Sequence, residues 1–194
     1  MPIRSSISLL TALAILWPSL SRLGLGSCFA FALLGGPQLL HAQPAPSAEY
    51  DLRAAFLLNF AQFGRWPSSN TREKQIVFGI LGDDPFGTSL DTMLDGRTIN
   101  ELPIQVRRIK RGEPISGVDV LFISSSEAEQ LDSILDELQI RPTLTVSDIE
   151  RFAKRGGMIG FVLRDGRVRF QINQSKAEAA GLTLSAKLLK LAEP

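Results

Sequence analysis

Three short apolar runs constrain the fold of this chain more than any other feature of its sequence. The runs are Ile76–Leu81, Val118–Ile123 and Met158–Leu163. Each is about one strand long, and none shows the regular polar–apolar alternation of a strand with one solvated face. Strands that are buried on both faces, as in a parallel sheet covered by helices, have this pattern. The sequence therefore predicts a parallel sheet running through the middle of the domain.

A long amphipathic helix is predicted ahead of the first run, over Ser47–Arg65. At about 100° per residue, its apolar side chains, among them Phe60 and Phe63, fall on one half of the helical wheel. Ser47 is placed to cap the helix, and Trp66-Pro67 is expected to end it. The apolar half of this helix should therefore face the sheet.

Further helices are predicted from start signals in the sequence. The signals are the pair Asp84-Pro85, which places proline at the first helical position, and the capping boxes Ser126 to Glu129 and Ser147 to Glu150. The expected helices run to about Leu94, to about Leu138 and to the glycine pair at 156–157. A last helix is expected over residues 182–192.

The remaining elements are two strands and a hairpin turn. Strands are predicted over residues 103–109 and 144–146, and Asp165-Gly166 has the form of a two-residue hairpin turn. After this turn the sequence alternates, with Val168 and Phe170 expected to face inward. Because helices and strands mostly alternate, we predict a three-layer α/β/α domain with a largely parallel sheet and an antiparallel edge hairpin.

Residues 1–42 have the composition of a secretory signal peptide. They hold two basic and no acidic residues, and their apolar middle is followed by the small residue Ala42. We expect cleavage after Ala42, a short linker over residues 43–48, and a single exported domain over residues 49–194. The predicted location of this domain is the periplasm.

Three other interpretations of this N-terminal stretch stay open. A start at Leu20 would give a better-shaped signal peptide. Residues 23–42 have enough apolar character to be weighed as an uncleaved anchor, although a Gly-Gly-Pro sequence breaks the span. The sequence from Leu25 to Cys28 resembles a lipoprotein box, although the residues after the cysteine are apolar where a polar tether is expected.

The two rarest residue types both lie in the predicted signal peptide. The only cysteine is Cys28 and the only histidine is His41, so the mature chain would contain neither. That composition excludes internal disulfides, thiolate chemistry, a Cys/His zinc site and imidazole acid–base chemistry. The 21 basic and 20 acidic residues nearly balance, which argues against nucleic acid as a partner. We expect no metal, no cofactor and no catalytic residue.

Seven sequence blocks follow one another in an order typical of one family. The first is the helix Tyr50-x-x-Arg-Ala-Ala-Phe-Leu-x-Asn-Phe-Ala-x-Phe-x-x-Trp-Pro67. The others are Gly79–Gly87, Val120–Ser124 with Ser126-Glu127, Leu144–Asp148, Gly156–Ile159, Arg167–Asn173, and Ala180–Leu182 with Ser185–Leu189. Together they span nearly all of residues 50–192, and the chain resembles the YfiR family of periplasmic regulators.

The resemblance implies a function in signalling. It implies an α/β domain without catalytic activity that can dimerise and that binds and restrains the periplasmic sensor part of an inner-membrane diguanylate cyclase. It also implies that an outer-membrane lipoprotein can relieve the restraint. Some family members carry two disulfides, but this chain has no cysteine after Cys28, so their redox behaviour is not transferred to it.

Asp83 and Asp84 are a candidate ligand site. They follow a predicted buried strand, where α/β folds place ligands, and two adjacent carboxylates there could hold Mg²⁺ for phosphotransfer. The simpler interpretation, which we favour, is that Asp84 caps a helix and Asp83 lies in a solvated turn.

Arginines are the candidate partner-binding residues. Arg164, Arg167 and Arg169 flank the predicted hairpin tip, where they protect a sheet edge or bind a carboxylate of a partner. Arg53 falls inside the apolar half of the first helix, and we expect its side chain to reach past the sheet edge to solvent or to a partner. The densest basic run, residues 107–111, is either a solvated strand end or a patch for an acidic partner.

These observations predict a non-enzymatic periplasmic regulator. It would bind the periplasmic domain of a membrane signalling protein, most directly a diguanylate cyclase, and so lower cyclic di-GMP and biofilm formation. Another membrane sensor, an outer-membrane lipoprotein and a second copy of the chain are the other expected partners. A periplasmic solute-binding or ligand-sensing protein is the alternative, and an enzyme centred on Asp83 and Asp84 is a third hypothesis.

Overall fold

The main sheet of the computed structural model has seven strands within the described residues, which are 46–67, 75–139 and 141–194. These residues belong to one compact unit, residues 41–194. The predicted signal peptide over residues 1–42 lies outside the described residues. So do residues 43–45 of the predicted linker and the side chain of Ser47, which was expected to cap the first helix.

Helices and strands alternate along most of the described chain. The helices are α1 (Pro46–Phe63), α2 (Thr88–Leu94), α3 (Leu131–Leu138), α4 (Gln174–Ala179) and α5 (Ala186–Leu191), with a 3₁₀ turn at Ser125–Glu127. The strands are β1 (Gly64–Arg65), β2 (Ile76–Leu81), β3 (Thr98–Ile99), β4 (Leu102–Ile109), β5 (Val120–Ile123), β6 (Leu144–Ser147), β7 (Ile159–Arg164), β8 (Arg167–Ile172) and β9 (Thr183–Leu184).

The strand order of the main sheet is β3-β4-β2-β5-β6-β7-β8. Neighbours from β4 to β7 are parallel, whereas β3 pairs antiparallel with β4 and β8 pairs antiparallel with β7. The chain lays β4 on one side of β2 and places β5, β6 and β7 on the other side. The order therefore reverses between β2 and β5, where Phe78 lies opposite Val120. In open α/β sheets, ligands bind at the carboxyl ends of strands beside such a reversal.

Two apolar layers cover the two faces of the sheet. Because successive side chains in a strand point to opposite faces, β2 and β5 contribute apolar side chains to both layers. On one face, Phe78 and Phe122 belong to a cluster with Phe60 of α1, and residues of α2, α4 and α5 complete this cluster. On the other face, Leu121 clusters with Leu131 of α3. The predicted three-layer α/β fold with a largely parallel sheet is confirmed.

Helix α1 lies on the sheet through its aromatic side chains. The ring of Phe60 lies 4.9 Å from the ring of Phe170 in an edge-to-face arrangement, and Phe56 contacts the same ring at 5.5 Å. The helix ends at Phe63 instead of the predicted Arg65. The reason is that the backbone of Gly64–Arg65 pairs with β9 in a small antiparallel ribbon, which sequence periodicity does not reveal.

The predicted hairpin is confirmed. Arg164 lies opposite Arg167 across the turn, and both turn residues have positive φ, 50° for Asp165 and 70° for Gly166. These angles belong to the type I′ turn that matches the twist of a two-residue hairpin. In β8, Val168 and Phe170 are buried, as the alternation predicts.

Three predicted helix starts are wrong in detail. Helix α2 begins at Thr88, because Asp84 bonds the backbone N–H of Phe86 (2.8 Å) and forms a tight turn in place of a helix cap. Ser124 caps a 3₁₀ turn where Ser126 was expected to begin a helix, and α3 starts only at Leu131.

The third start, at Ser147, produces turns and no helix. The Ser147 hydroxyl donates to the carbonyl of Ile123 (2.6 Å) and accepts from the N–H of Ile149 (2.9 Å). The hydroxyl therefore ties β6 to β5, a tertiary contact that competes with local capping.

The C-terminal region is also more divided than predicted. The expected helix over residues 182–192 is β9 followed by α5, which Ser185 caps, and α4 precedes both. After α5 the chain returns to the sheet, where the N–H of Glu193 donates to the carbonyl of Phe170 (2.8 Å). Glu193 thus forms a parallel bridge with Gln171 at the outer edge of β8.

No helix among the described residues has both the length and the apolar character needed to span a bilayer.

Candidate functional site

The sequence-predicted site residues lie at three places in the fold, one of which is Arg53 in α1. Asp83 and Asp84 follow β2 at the carboxyl edge of the sheet, beside the reversal in strand order. Arg164, Arg167 and Arg169 lie on the hairpin of β7 and β8, the last strands of the sheet on one side.

An arginine neutralises Asp84. The guanidinium of Arg108, near the end of β4, contacts Asp84 at 2.7 Å and Asp91 of α2 at 2.5 Å, and it donates to the carbonyl of Gly87 at 2.8 Å. The hydrogen bond from Arg108 lowers the pKa of Asp91, and the two carboxylates raise the pKa of Arg108. Asp84 is therefore held in an internal ion-pair network.

Asp83 is exposed, and its backbone joins two strand ends. Its N–H donates to the Ser126 hydroxyl at 3.0 Å, which links the loop after β2 to the loop after β5. Gly82 allows this approach because glycine has no Cβ. A Cβ at this position would lie 2.4 Å from the Ser126 oxygen, and the φ of +87° also favours glycine. Among the described residues, no group of three acidic, histidine or cysteine side chains is arranged to hold a metal ion.

A second ion pair lies behind this junction. The Glu127 side chain is only 5% exposed, and its carboxylate accepts hydrogen bonds from Arg111 at 3.0 and 3.2 Å. Arg111 is a surface side chain, and its bond to Glu127 raises its pKa. The sequence predicts a capping box that includes Glu129, and no local pattern indicates that Glu127 is the buried partner of Arg111.

Arg53 is buried and forms internal ion pairs, so the expectation that it reaches solvent is wrong. Its guanidinium contacts Asp148, after β6, at 2.8 Å and Glu49 at 2.5 Å, and it lies 4.5 Å from the centre of the Tyr50 ring. The Tyr50 hydroxyl donates to the same Asp148 oxygen at 2.7 Å. Burial raises the pKa of Tyr50, and the bond to Asp148 raises it further.

The hairpin arginines are exposed, and Arg167 and Arg169 line a shallow groove. The groove has a volume of about 360 Å³ and lies between the start of α1 and the hairpin. Its lining residues include Glu49, Leu52, Arg167, Val168 and Arg169. Arg169 has one long contact with a carboxylate, 3.8 Å from Glu193.

Exposed leucines complete the surface at this groove. Leu52 of α1 is 45% exposed and Leu163 of β7 is 51% exposed. Leu163 is the cross-strand partner of Val168, which lines the groove but is itself buried. We call Leu52, Leu163, Val168 and the three hairpin arginines the hairpin surface. Sequence periodicity could not find the leucines, because it assigns apolar residues to the core.

The fold and these contacts define a doubly wound α/β domain whose strand-end charges are largely paired within the chain. A comparison with protein families then identifies the family: the model for YfiR/HmsC-like proteins matches residues 50–193, and the chain belongs to this family. No curated protein matches the chain with significant similarity. Proteins of the family are periplasmic regulators of cyclic di-GMP signalling rather than enzymes.

Proposed function

We propose that the chain is a periplasmic protein that binds and restrains the sensor region of a membrane signalling protein, most directly a diguanylate cyclase. Restraint would lower cyclic di-GMP and biofilm formation. The family match supports the regulatory class. The observation that carries the proposal is the hairpin surface, where exposed leucines and exposed arginines lie on or beside one hairpin and a groove, as is typical of a protein contact.

The hairpin surface suits an extended, partly acidic segment of the partner. Arg164, Arg167 and Arg169 supply guanidinium groups, which bind carboxylates in fork geometry. Leu52 and Leu163 supply exposed apolar area, and Leu163 points to the hairpin face opposite the arginines because successive strand side chains alternate. A partner segment that alternates acidic and apolar side chains would satisfy both sets of groups.

The outer edge of β8 adds backbone groups to this surface. Phe170 directs its carbonyl outward, where it accepts from Glu193. Alternate residues of an antiparallel strand direct their backbone groups to the same side, so Val168 also directs its N–H and carbonyl to the outer edge. Strand addition at such an edge is a common way to bind a peptide segment.

Restraint by binding requires only a difference in affinity. If the chain binds the inactive arrangement of its partner about 3 kcal/mol more tightly than the active one, the equilibrium shifts by over about 100-fold. Binding from the periplasm can therefore lower cyclase output without any bond being made or broken.

Charge reversal on the hairpin tests the proposal. In a deletion strain that carries the gene on a plasmid, we expect the wild-type chain to lower cyclic di-GMP. Arg167→Glu with Arg169→Glu should abolish this effect. Arg97→Glu is the matched control, since Arg97 is an exposed arginine beside β3 at the opposite side of the sheet.

Two results would contradict the proposal at different levels. Cyclic di-GMP that is unchanged by deletion of the gene would reject the regulatory function. A reversed-charge variant that folds and still lowers cyclic di-GMP like the wild type would reject the hairpin surface and leave the function standing. Circular dichroism and thermal unfolding of each variant check that it folds.

A further inference from the structure

A second groove, separate from the hairpin surface, lies beside α3 on the opposite face of the sheet. It has a volume of about 320 Å³, which is within the range of small-molecule sites. Its apolar lining comes from Leu81, Ile115 and Ile134. Leu81 and Ile115 are buried in the same apolar cluster as Leu131, so the wall of the groove is part of a packed core.

Glu127 gives this groove a buried negative charge. Its side chain lines the groove and is 5% exposed. A buried carboxylate is costly unless a cation or several hydrogen bonds compensate it. The compensating group is Arg111, and within the described part of the chain the bonds that the Glu127 carboxylate accepts come from this one guanidinium.

Arg111 is far more exposed than the carboxylate that it neutralises, and it also donates to the carbonyl of Ser126 at 3.1 Å. Its side chain is 61% exposed, and it lies in a surface turn closed by the N–H of Glu113 bonding to the carbonyl of Lys110 (3.0 Å). The next residue, Gly112, has φ +84° and no atom within 4 Å of a Cβ position. If Arg111 left, it would give up its bonds to Glu127 and to the Ser126 carbonyl and exchange them for water at the surface, where most of its side chain already lies.

The other charged groups of the groove are also acidic. Glu113 and Glu137 line it together with Glu127, and Arg111 is the one basic residue that the described part of the chain contributes to the lining. Glu113 accepts the N–H of Lys110, and Glu137 has a long contact with Arg141 at 3.7 Å. If Arg111 moves away, the groove therefore combines an apolar wall with three carboxylates.

We infer that this groove binds a small organic cation, a guanidinium or ammonium group on a short apolar stem, which takes the place of Arg111 on Glu127. The apolar stem would lie along Leu81, Ile115 and Ile134. Arg111 acts as an internal competitor, so the apparent affinity of the wild type is reduced by the fraction of time that Arg111 occupies the carboxylate. Occupancy would release the turn between β4 and β5.

A titration with butylguanidinium tests the inference, and butylurea is the uncharged control of nearly the same shape. We expect the methyl NMR signals of Ile115 and Ile134 in the wild-type domain to shift and saturate with millimolar butylguanidinium, and to respond weakly to butylurea. Arg111→Ala should lower the Kd by about tenfold, because the competitor is removed. Glu127→Gln, which keeps the shape of the side chain, should abolish the saturable shift.

Specific outcomes would overturn the inference. Equal responses to butylguanidinium and butylurea would mean that the groove binds only apolar stems. A wild-type domain without saturable shifts would mean that Arg111 is a permanent structural partner of Glu127. These two comparisons need only the wild type, so they decide the question even if Glu127→Gln fails to fold.

Discussion

At the scale of single residues, charged side chains that the sequence places at the surface form ion pairs within the chain. Arg53 appears in the sequence as an arginine inside an apolar helix face, and no local pattern indicates its partner. Asp148 lies 95 positions away and reaches Arg53 only because β6 ends under α1. The pair forms only when the chain has folded. The sequence therefore shows that Arg53 lies within an apolar helix face, but it does not predict that Arg53 is buried.

Removing Arg53 should strongly destabilise the domain. Arg53→Met leaves Asp148 buried without its cation, and breaking a buried pair in this way costs about 3–5 kcal/mol. Urea unfolding followed by circular dichroism measures the loss. The control Lys154→Met changes an exposed residue and should stay within about 0.5 kcal/mol of the wild type. Adding Asp148→Asn to Arg53→Met should restore part of the stability, and a double variant as unstable as the sum of its parts would argue against a direct pair.

Tyr50 should make the domain less stable in alkaline solution. Its folded-state pKa is raised, by burial and then by the bond to Asp148, so the folded state holds its proton where the unfolded chain has lost it. The stabilising effect is complete below the ordinary tyrosine pKa of about 10 and is lost as pH rises through the folded pKa.

The chain contains one tyrosine, so this titration can be followed directly. Ultraviolet absorbance of tyrosinate should rise at a higher pH in the folded domain than in urea. In Tyr50→Phe the stability should fall less over the same pH interval. Identical tyrosinate midpoints for the folded and unfolded chain would contradict the buried hydrogen bond.

At the scale of elements, the loops after β2 and β5 are built as one unit. The N–H of Asp83 bonds Ser126, and Gly82 gives the room for that contact. Both strands, β2 and β5, were predicted from the sequence, and so were the polar residues that follow each of them. Ser126 and Asp84 were predicted to be helix caps. A capping pattern describes bonds between residues close in sequence and cannot indicate a contact with a neighbouring loop.

Gly82→Ala should destabilise the domain more than a substitution with backbone strain alone. The added Cβ meets the Ser126 oxygen at 2.4 Å and Glu127 Cγ at 2.8 Å, in addition to the positive φ. Gly112→Ala is the matched control, because Gly112 has nearly the same φ and open space around it. We expect a loss of about 1–2 kcal/mol for the control and about 1–3 kcal/mol more for Gly82→Ala. Equal losses in urea unfolding would show that the two loops can separate without cost.

At the scale of the whole molecule, the sequence predicted the strands and layers of the sheet better than the pairings between distant segments. The buried runs became β2, β5 and β7, and the Asp165-Gly166 turn formed as expected, because burial and turn chemistry are local and strong. The ribbon of β1 with β9, the division of the C-terminal helix and the partners of Arg53 and Arg111 depend on distant segments. The hairpin arginines were predicted as a group. The exposure of their neighbours Leu52 and Leu163 was not predicted, because the sequence pattern does not distinguish them from core residues.

Glu193 at the margin of β8 sets a limit on what can attach there. By pairing at Phe170 and Gln171, it leaves only the three residues nearest the turn for an incoming strand. So short a ladder supplies few main-chain bonds, and selectivity must come from side chains. A contact of that kind would dissociate readily, which suits the reversible restraint that we propose.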